Sequence, residues 1–144
     1  MRLPVLFILI NLFICVSAQE QAPVTGKLLI ILKGFENHEG AAHLALCPSR
    51  ENFEAGDQAF RTAIVPVSRG TAYVELDSIP AGVYAVKVYH DENDNGELDK
   101  NFLGAPSESY GYSNNARGSF GPADWDDAKF EFSAPADTIM ILLK

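Results

Sequence analysis

The sequence predicts an all-β fold: a seven-stranded antiparallel Greek-key β-sandwich with one long ordered loop. Three observations carry that expectation. Short apolar stretches recur between clusters of Gly, Pro, Asn and Asp, several with the period of two that a half-buried strand requires. No segment carries the 3.6-residue periodicity of a long amphipathic helix. The long polar stretch after Tyr89 keeps Phe102, Leu103, Tyr110 and Tyr112, whereas disordered linkers are poor in aromatic residues.

In chain order, residues 1–18 have the form of a secretory signal peptide. Met1-Arg2 is basic, Leu3 to Val16 is nearly all apolar, and Ser17-Ala18 supplies small residues for cleavage. The apolar run is shorter than the roughly 20 residues of a membrane span. The expectation is therefore an exported protein, periplasmic or extracellular, with residues 19–144 as a single β-sandwich domain and no transmembrane anchor after cleavage. The formal net charge of -8 is spread along the chain and lacks the basic footprint of a nucleic-acid-binding protein. Cys15 leaves with the leader, so Cys47, at the end of an apolar strand pattern, is expected as a buried unpaired thiol.

The strands are expected at residues 26–34, 42–47, 59–67, 71–77, 82–89, 129–133 and 138–144, the first two as a hairpin across the turn at 36–40. Pro66 cannot donate a ladder bond, which places its strand at an edge or its end. In the fourth strand Ala72, Val74 and Leu76 share a face. In the fifth, Tyr84, Val86, Val88 and His90 face inward, and Lys87 marks the wetter side. A helical turn is expected near Ser49–Phe53, and Asp124 is placed to cap another through Trp125-Asp126-Asp127-Ala128.

The fifth strand runs into Asp91-Glu92-Asn93-Asp94-Asn95-Gly96-Glu97-Leu98-Asp99, the densest group of oxygen donors in the chain. Calcium takes oxygen ligands in a flexible cage. Asp91, Asn93 and Asn95 have the alternate spacing of a D-x-[DN]-x-[DN]-G loop, Gly96 permits the sharp turn, Glu97 offers its main-chain carbonyl, and Asp99 follows. The pattern then stops: Phe102 stands where a helix-flanked loop has its bidentate Glu, and a strand, not a helix, precedes Asp91. Glu108, Asp124, Asp126 and Asp127 are the candidates for the missing carboxylate. His90, at the strand exit, is the candidate partner orienting a ligating Asp. The alternative is an Asx-rich turn with no ion.

Residues 82–99, then Asn101-Phe102-Leu103-Gly104, Pro106, Glu108, Gly111, Ser113-Asn114-Asn115-Ala116 and Asp127-Ala128-Lys129-Phe130, resemble the motifs of the bacterial DUF2141 family of uncharacterised exported proteins. Tyr112 stands where the family often has Phe, and Ala123 and Trp125 where it often has Pro and Phe. The family name implies no activity. More distantly, Pro80-Ala81-Gly82-Val83-Tyr84-Ala85-Val86 is similar to a turn and strand of transthyretin-like and carboxypeptidase regulatory-like sandwiches, a likeness that implies fold alone.

Together these features predict a non-enzymatic binding or structural module. Its long loop is held by calcium and presents Tyr110, Tyr112, Phe120 and Trp125 to a glycan, a peptide or an envelope protein. No catalytic residue is assigned, since no serine or cysteine elbow is present. Two alternatives remain: a hydrolase using two of Asp91, Glu108, Asp124 and Asp126 with His90 nearby, and an assembly protein pairing through apolar first or last strands at a sheet edge.

Overall fold

The computed structural model describes residues 22–56 and 58–144. The leader read at residues 1–18 lies outside them. The chain is mostly β, in two sheets. In order the elements are β1 (Thr25–Lys33), β2 (Ala41–Cys47), α1 (Arg50–Ala55), β3 (Arg61–Pro66), β4 (Thr71–Pro80), β5 (Gly82–Asp91), β6 (Tyr110–Tyr112), a 3-10 turn (Ser113–Asn115), α2 (Trp125–Ala128), β7 (Phe130–Phe132) and β8 (Ala136–Leu142). A three-stranded sheet has the order β4-β1-β8. A five-stranded sheet has the order β3-β2-β5-β6, with β7 pairing the start of β5. Among the described residues, no helix is long and apolar enough to cross a membrane.

Three expectations are corrected. Among the described residues there are eight strands, because Tyr110–Tyr112 pairs with β5; three residues between turn formers are too few to display a period. The arrangement is not wholly antiparallel, since β8 runs parallel to β1. Nor do β1 and β2 form a hairpin. They lie in different sheets, and the turn between them carries the chain across. Local pattern specifies a strand but not its neighbour, which the long-range burial of its apolar face decides.

The inner faces of both sheets meet in one core. Leu28, Ile30, Leu32, Val74, Leu76 and Ile79 come from the smaller sheet, and Leu44, Leu46, Val86 and Val88 from the larger; Phe132 and Ile141 join them. The alternation in β4 and β5 follows the predicted faces, with Ala72, Val74 and Leu76 buried on one strand and Tyr84, Val86, Val88 and His90 on the other. Pro66 ends β3, an edge strand.

A second, smaller core covers one end of the outer face of the five-stranded sheet. Here α1 and α2 pack Phe53, Trp125, Ala123 and Ala128 over Cys47 and Ala85. The short α1 is bounded by local chemistry: Ser49 accepts from the Asn52 amide at its start, and Gly56 ends it at φ 81°, where a side chain is disfavoured. The Ser-Asn-Asn turn ties these parts together. Ser113 Oγ accepts from the Val86 amide (2.8 Å) and donates to the Ala128 carbonyl (2.6 Å). Asn114 Nδ2 donates to the Lys129 carbonyl (2.7 Å), and Asn115 Oδ1 accepts from the Leu142 amide (2.8 Å).

Candidate functional site

Side chains alternate across a strand, so the ladder register states which residues share the outer face of the five-stranded sheet. One row crosses it as Ile64, His43, Tyr89 and Tyr110; the next as Thr62, Ala45, Lys87 and Tyr112. All eight line a cavity of about 500 Å³, inside the range of roughly 300–1,000 Å³ typical of small-molecule sites. Leu98 closes the cavity at the acid-loop end and Gly56, after α1, at the other. A second cavity of about 450 Å³ continues past Lys87 and Tyr112, which line both, to Phe53, Glu54, Pro122, Ala123 and Asp124. The two form a trough from the acid loop to the helices.

The acid loop is built from the end of β5. Asp91 is 1% exposed, and its two oxygens accept from the Asn95 amide (3.0 Å) and the Gly96 amide (2.8 Å). Asn93 Oδ1 accepts from the Asn95 amide and Asn95 Oδ1 from the Glu97 amide, while both side-chain amides donate to Asp99 (2.7 and 3.0 Å). Glu108 is buried and bridges the loop, accepting from the Glu92 amide and the Asp99 amide, each at 2.9 Å. Glu97 is exposed. Gly96 takes φ 83°, as the turn requires.

Of the four later carboxylates, the fold therefore brings only Glu108 to the loop. Asp124, Asp126 and Asp127 are exposed on or beside α2. That helix packs on the part of the outer face around Ala85, six residues down β5 from Asp91, about 20 Å at the strand rise of about 3.3 Å per residue. Asp126 instead pairs with Arg50 and Lys129, whose hydrogen bonds hold its carboxyl below the usual carboxylate range.

His90 is fully buried, with Nε2 on the Glu39 carbonyl (2.7 Å) and Nδ1 facing Glu92 Oε1 at 3.6 Å. Nε2 thus anchors the β1–β2 turn, and the loop carboxylate that the ring faces is Glu92, not a candidate ligating Asp. The histidine that meets Asp91 is His43, with Nε2 3.2 Å from Oδ2, its ring stacked on Tyr89 at 4.9 Å. Tyr89 in turn donates its hydroxyl to the Gly96 carbonyl (2.8 Å). Burial, followed by the charges of Asp91, Glu108 and Glu97, pushes the Tyr89 phenol up; burial does the same to Tyr112, so both stay neutral at pH 7. His43 lies 48 residues before Asp91 in sequence, and only the antiparallel register of β2 on β5 would have signalled the contact.

Of the four aromatic candidates, Tyr110 and Tyr112 are half-buried and line the trough. Phe120 is fully exposed and is not among the residues lining either cavity. Trp125 is not a surface residue: at 8% exposure it packs against Phe53 in the second core.

The donor set can be tested against a divalent ion. Among the described residues, no three His, Cys, Asp or Glu side chains converge closely enough to hold a metal. An ion here must draw on Asn and main-chain oxygens as well as the acids, a mixture calcium accepts. Each Asp91 oxygen accepts one amide hydrogen; Oδ1 keeps a lone pair while Oδ2 also faces His43 Nε2, and the two neutral Asn amides donate to Asp99 where an ion would bind. Of the carboxylates considered for acid–base work, Asp91 and Glu108 each accept from two main-chain amides.

No curated protein and no solved structure matches the chain. A family described as "Uncharacterized protein conserved in bacteria" matches over residues 30–140, which span the acid loop, the trough and most of both cores, and the chain belongs to this DUF2141 family.

Proposed function

We propose that this protein is a non-catalytic, exported binding module of sandwich form, whose ligand seats in the trough on the five-stranded sheet and whose acid loop takes a calcium-type cation at one end of that seat. One observation carries the reading: the loop and the trough share parts. Asp91 holds the loop turn and meets His43, Tyr89 bonds the Gly96 carbonyl, and Leu98 reaches over to line the cavity. An ion that stiffens the loop thereby fixes the rim of the trough. Export is supported by the basic start, apolar run and small residues of 1–18.

Asp91, Asn93, Asn95, Asp99 and Glu108 are the side chains offered to the cation, with the main-chain carbonyl of Glu97. The ion exchanges with the Asn side-chain donors now on Asp99. A ligand that binds only the folded state raises apparent stability, by about 2.7 kcal/mol at a hundredfold excess over its Kd. After chelation, calcium is expected to raise the unfolding temperature by several degrees, magnesium to do less, and the Asp91→Asn/Asp99→Asn variant to lose the response. No shift at millimolar calcium from a chelated start overturns the cation part of the reading.

A hydrolytic reading has one observation in its favour, since Glu54 and Asp124 both line the second cavity. Both are exposed to solvent, and paired carboxylates work as acid and base when their environments separate them. The binding reading is therefore preferred.

A further inference from the structure

We propose that the trough takes an uncharged oligosaccharide, with sugar ring faces seated on Tyr89, Tyr110 and Tyr112 and hydroxyl groups donated to Glu54 and Asp124. This rests on the trough being the ligand site and adds the class of ligand.

The shape of the floor comes first. Two cross-strand rows place half-buried rings beside one another on one face, with the small residues Ala45 and Thr62 leaving room between them and the β3 edge. Tyr110 and Tyr112 stand edge to face at 6.0 Å, and His43 stacks on Tyr89, so the rings are braced by their neighbours. Rigid, half-exposed aromatic rings suit a ligand with flat apolar faces and polar edges. A pyranose has both: axial C–H groups on its faces and hydroxyls around its rim. The continuation of the cavity past Lys87 and Tyr112 gives length for more than one ring.

Charge then narrows the class. Among the described residues of the lining, Lys87 is the sole lysine or arginine, and one of its three ammonium donors is already used. It donates to the Phe53 carbonyl at 2.7 Å and lies 5.5 Å from the Phe53 ring centroid. With the Glu54 and Asp124 carboxylates at the far end, that single lysine leaves the lining net negative, which disfavours an acidic sugar or a phosphate. Carboxylate oxygens accept hydrogen bonds from hydroxyl donors, and Glu54, which also meets Arg50 at 3.4 Å, has a second oxygen to offer.

Backbone chemistry disfavours an extended peptide. A bound peptide must satisfy its own amides and carbonyls, as it does by adding to a sheet edge. The trough floor is a sheet face, where the main chain of β2 and β5 is already paired on the ladder. The free side of β6 is also taken, because Tyr110 exchanges both main-chain bonds with Lys144 (2.9 and 3.0 Å).

The experiment titrates the protein, with calcium present, against cellohexaose, maltohexaose and chitohexaose, an oligogalacturonate of equal length, and a lysine-rich decapeptide, followed by calorimetry. Saturable binding of a neutral hexasaccharide is expected. It should weaken about tenfold or more in Tyr110→Ala/Tyr112→Ala and remain unchanged in Tyr73→Ala on the opposite sheet. Because losing two tyrosines can disturb folding, Ala45→Trp provides a second route: it removes nothing, fills the floor, and must block binding. If the oligogalacturonate or the peptide binds in place of the neutral sugars and Ala45→Trp blocks it, the ligand class is wrong and the site stands. If a neutral sugar binds but neither variant weakens it, the location is wrong. No saturable binding by any probe overturns both this proposal and the trough as a ligand site.

Discussion

On the outer face of the three-stranded sheet, Tyr73, Ile31 and Met140 form a cross-strand row, with Leu29 and Lys33 in the rows on either side. Tyr73 is 63% exposed and Met140 51%, and Lys27 pairs with Glu75 and Asp77 at the water interface. The outer face of the five-stranded sheet has similar strands but three zones. The acid loop covers the row at Asp91, α1 and α2 cover the row at Cys47 and Ala85, and the trough lies between. The difference arises in the connections. The insertions after β2, β5 and β6 all return over the same face. Loops on a fixed scaffold are where binding usually resides, and here they enclose a site by building its two ends and leaving the middle open.

The contrast is sharpened first at the acid-loop end. Gly40 has φ 60°, and a Cβ there would collide with the Asp91 carbonyl. Gly96 has φ 83° but nothing within 4 Å of a Cβ. Gly40→Ala therefore carries both backbone strain and a main-chain clash, and is expected to cost several times as much as Gly96→Ala, which carries only the strain of about 1 kcal/mol. Urea midpoints compare the two. Equal costs would mean that the β1–β2 turn does not brace the acid loop.

At the helical end, burial pushes the Cys47 thiol above its ordinary 9.0, partly opposed by Lys87. The unfolded thiol then ionises before the folded one. Stability from this group is complete below pH 9.0 and is lost as pH rises through the folded value. Relative to Cys47→Ala, the wild-type unfolding midpoint should fall with rising pH above that point and run parallel below it. A flat difference would mean that water reaches the thiol and that α1 and α2 do not seal this end.

The smallest effect belongs to the bare face. Tyr73→Ala should change stability by no more than about 0.5 kcal/mol, as surface substitutions generally do, and leave the calcium response intact. A large loss would show the two outer faces to be more alike than their exposure suggests.

Much of this was legible in residue order, and the illegible part has a common cause. Alternation identified the buried faces of β4 and β5, Pro66 marked a strand at an edge or its end, and Ser49–Phe53 showed a helical turn, because each depends on neighbours in sequence. Which acid returns to Asp91 does not. Glu108 does so because β6 pairs with β5. Tyr110 lies opposite Tyr89, and carrying that antiparallel register two residues further sets Glu108 opposite Asp91. With Tyr110–Tyr112 read as loop, Glu108 was indistinguishable from Asp124, Asp126 and Asp127. The same gap concealed His43, which reaches Asp91 across the β2–β5 ladder, and left Trp125 looking like a surface aromatic when the Phe53 side of α1 covers it.

The parallel pairing of β1 with β8 bears on how the molecule folds. Residues from opposite ends of the described chain lie side by side along seven register pairs, and Ile141 and Leu143 enter the same core as Ile30 and Leu32. Closing so long a loop loses chain entropy before any contact rewards it, and topologies dominated by distant pairings fold on the millisecond-to-second scale. The docking of β8 on β1 is therefore expected late. Until β8 docks, β1 has only β4 beside it, and the apolar edge that β8 covers is open to other chains.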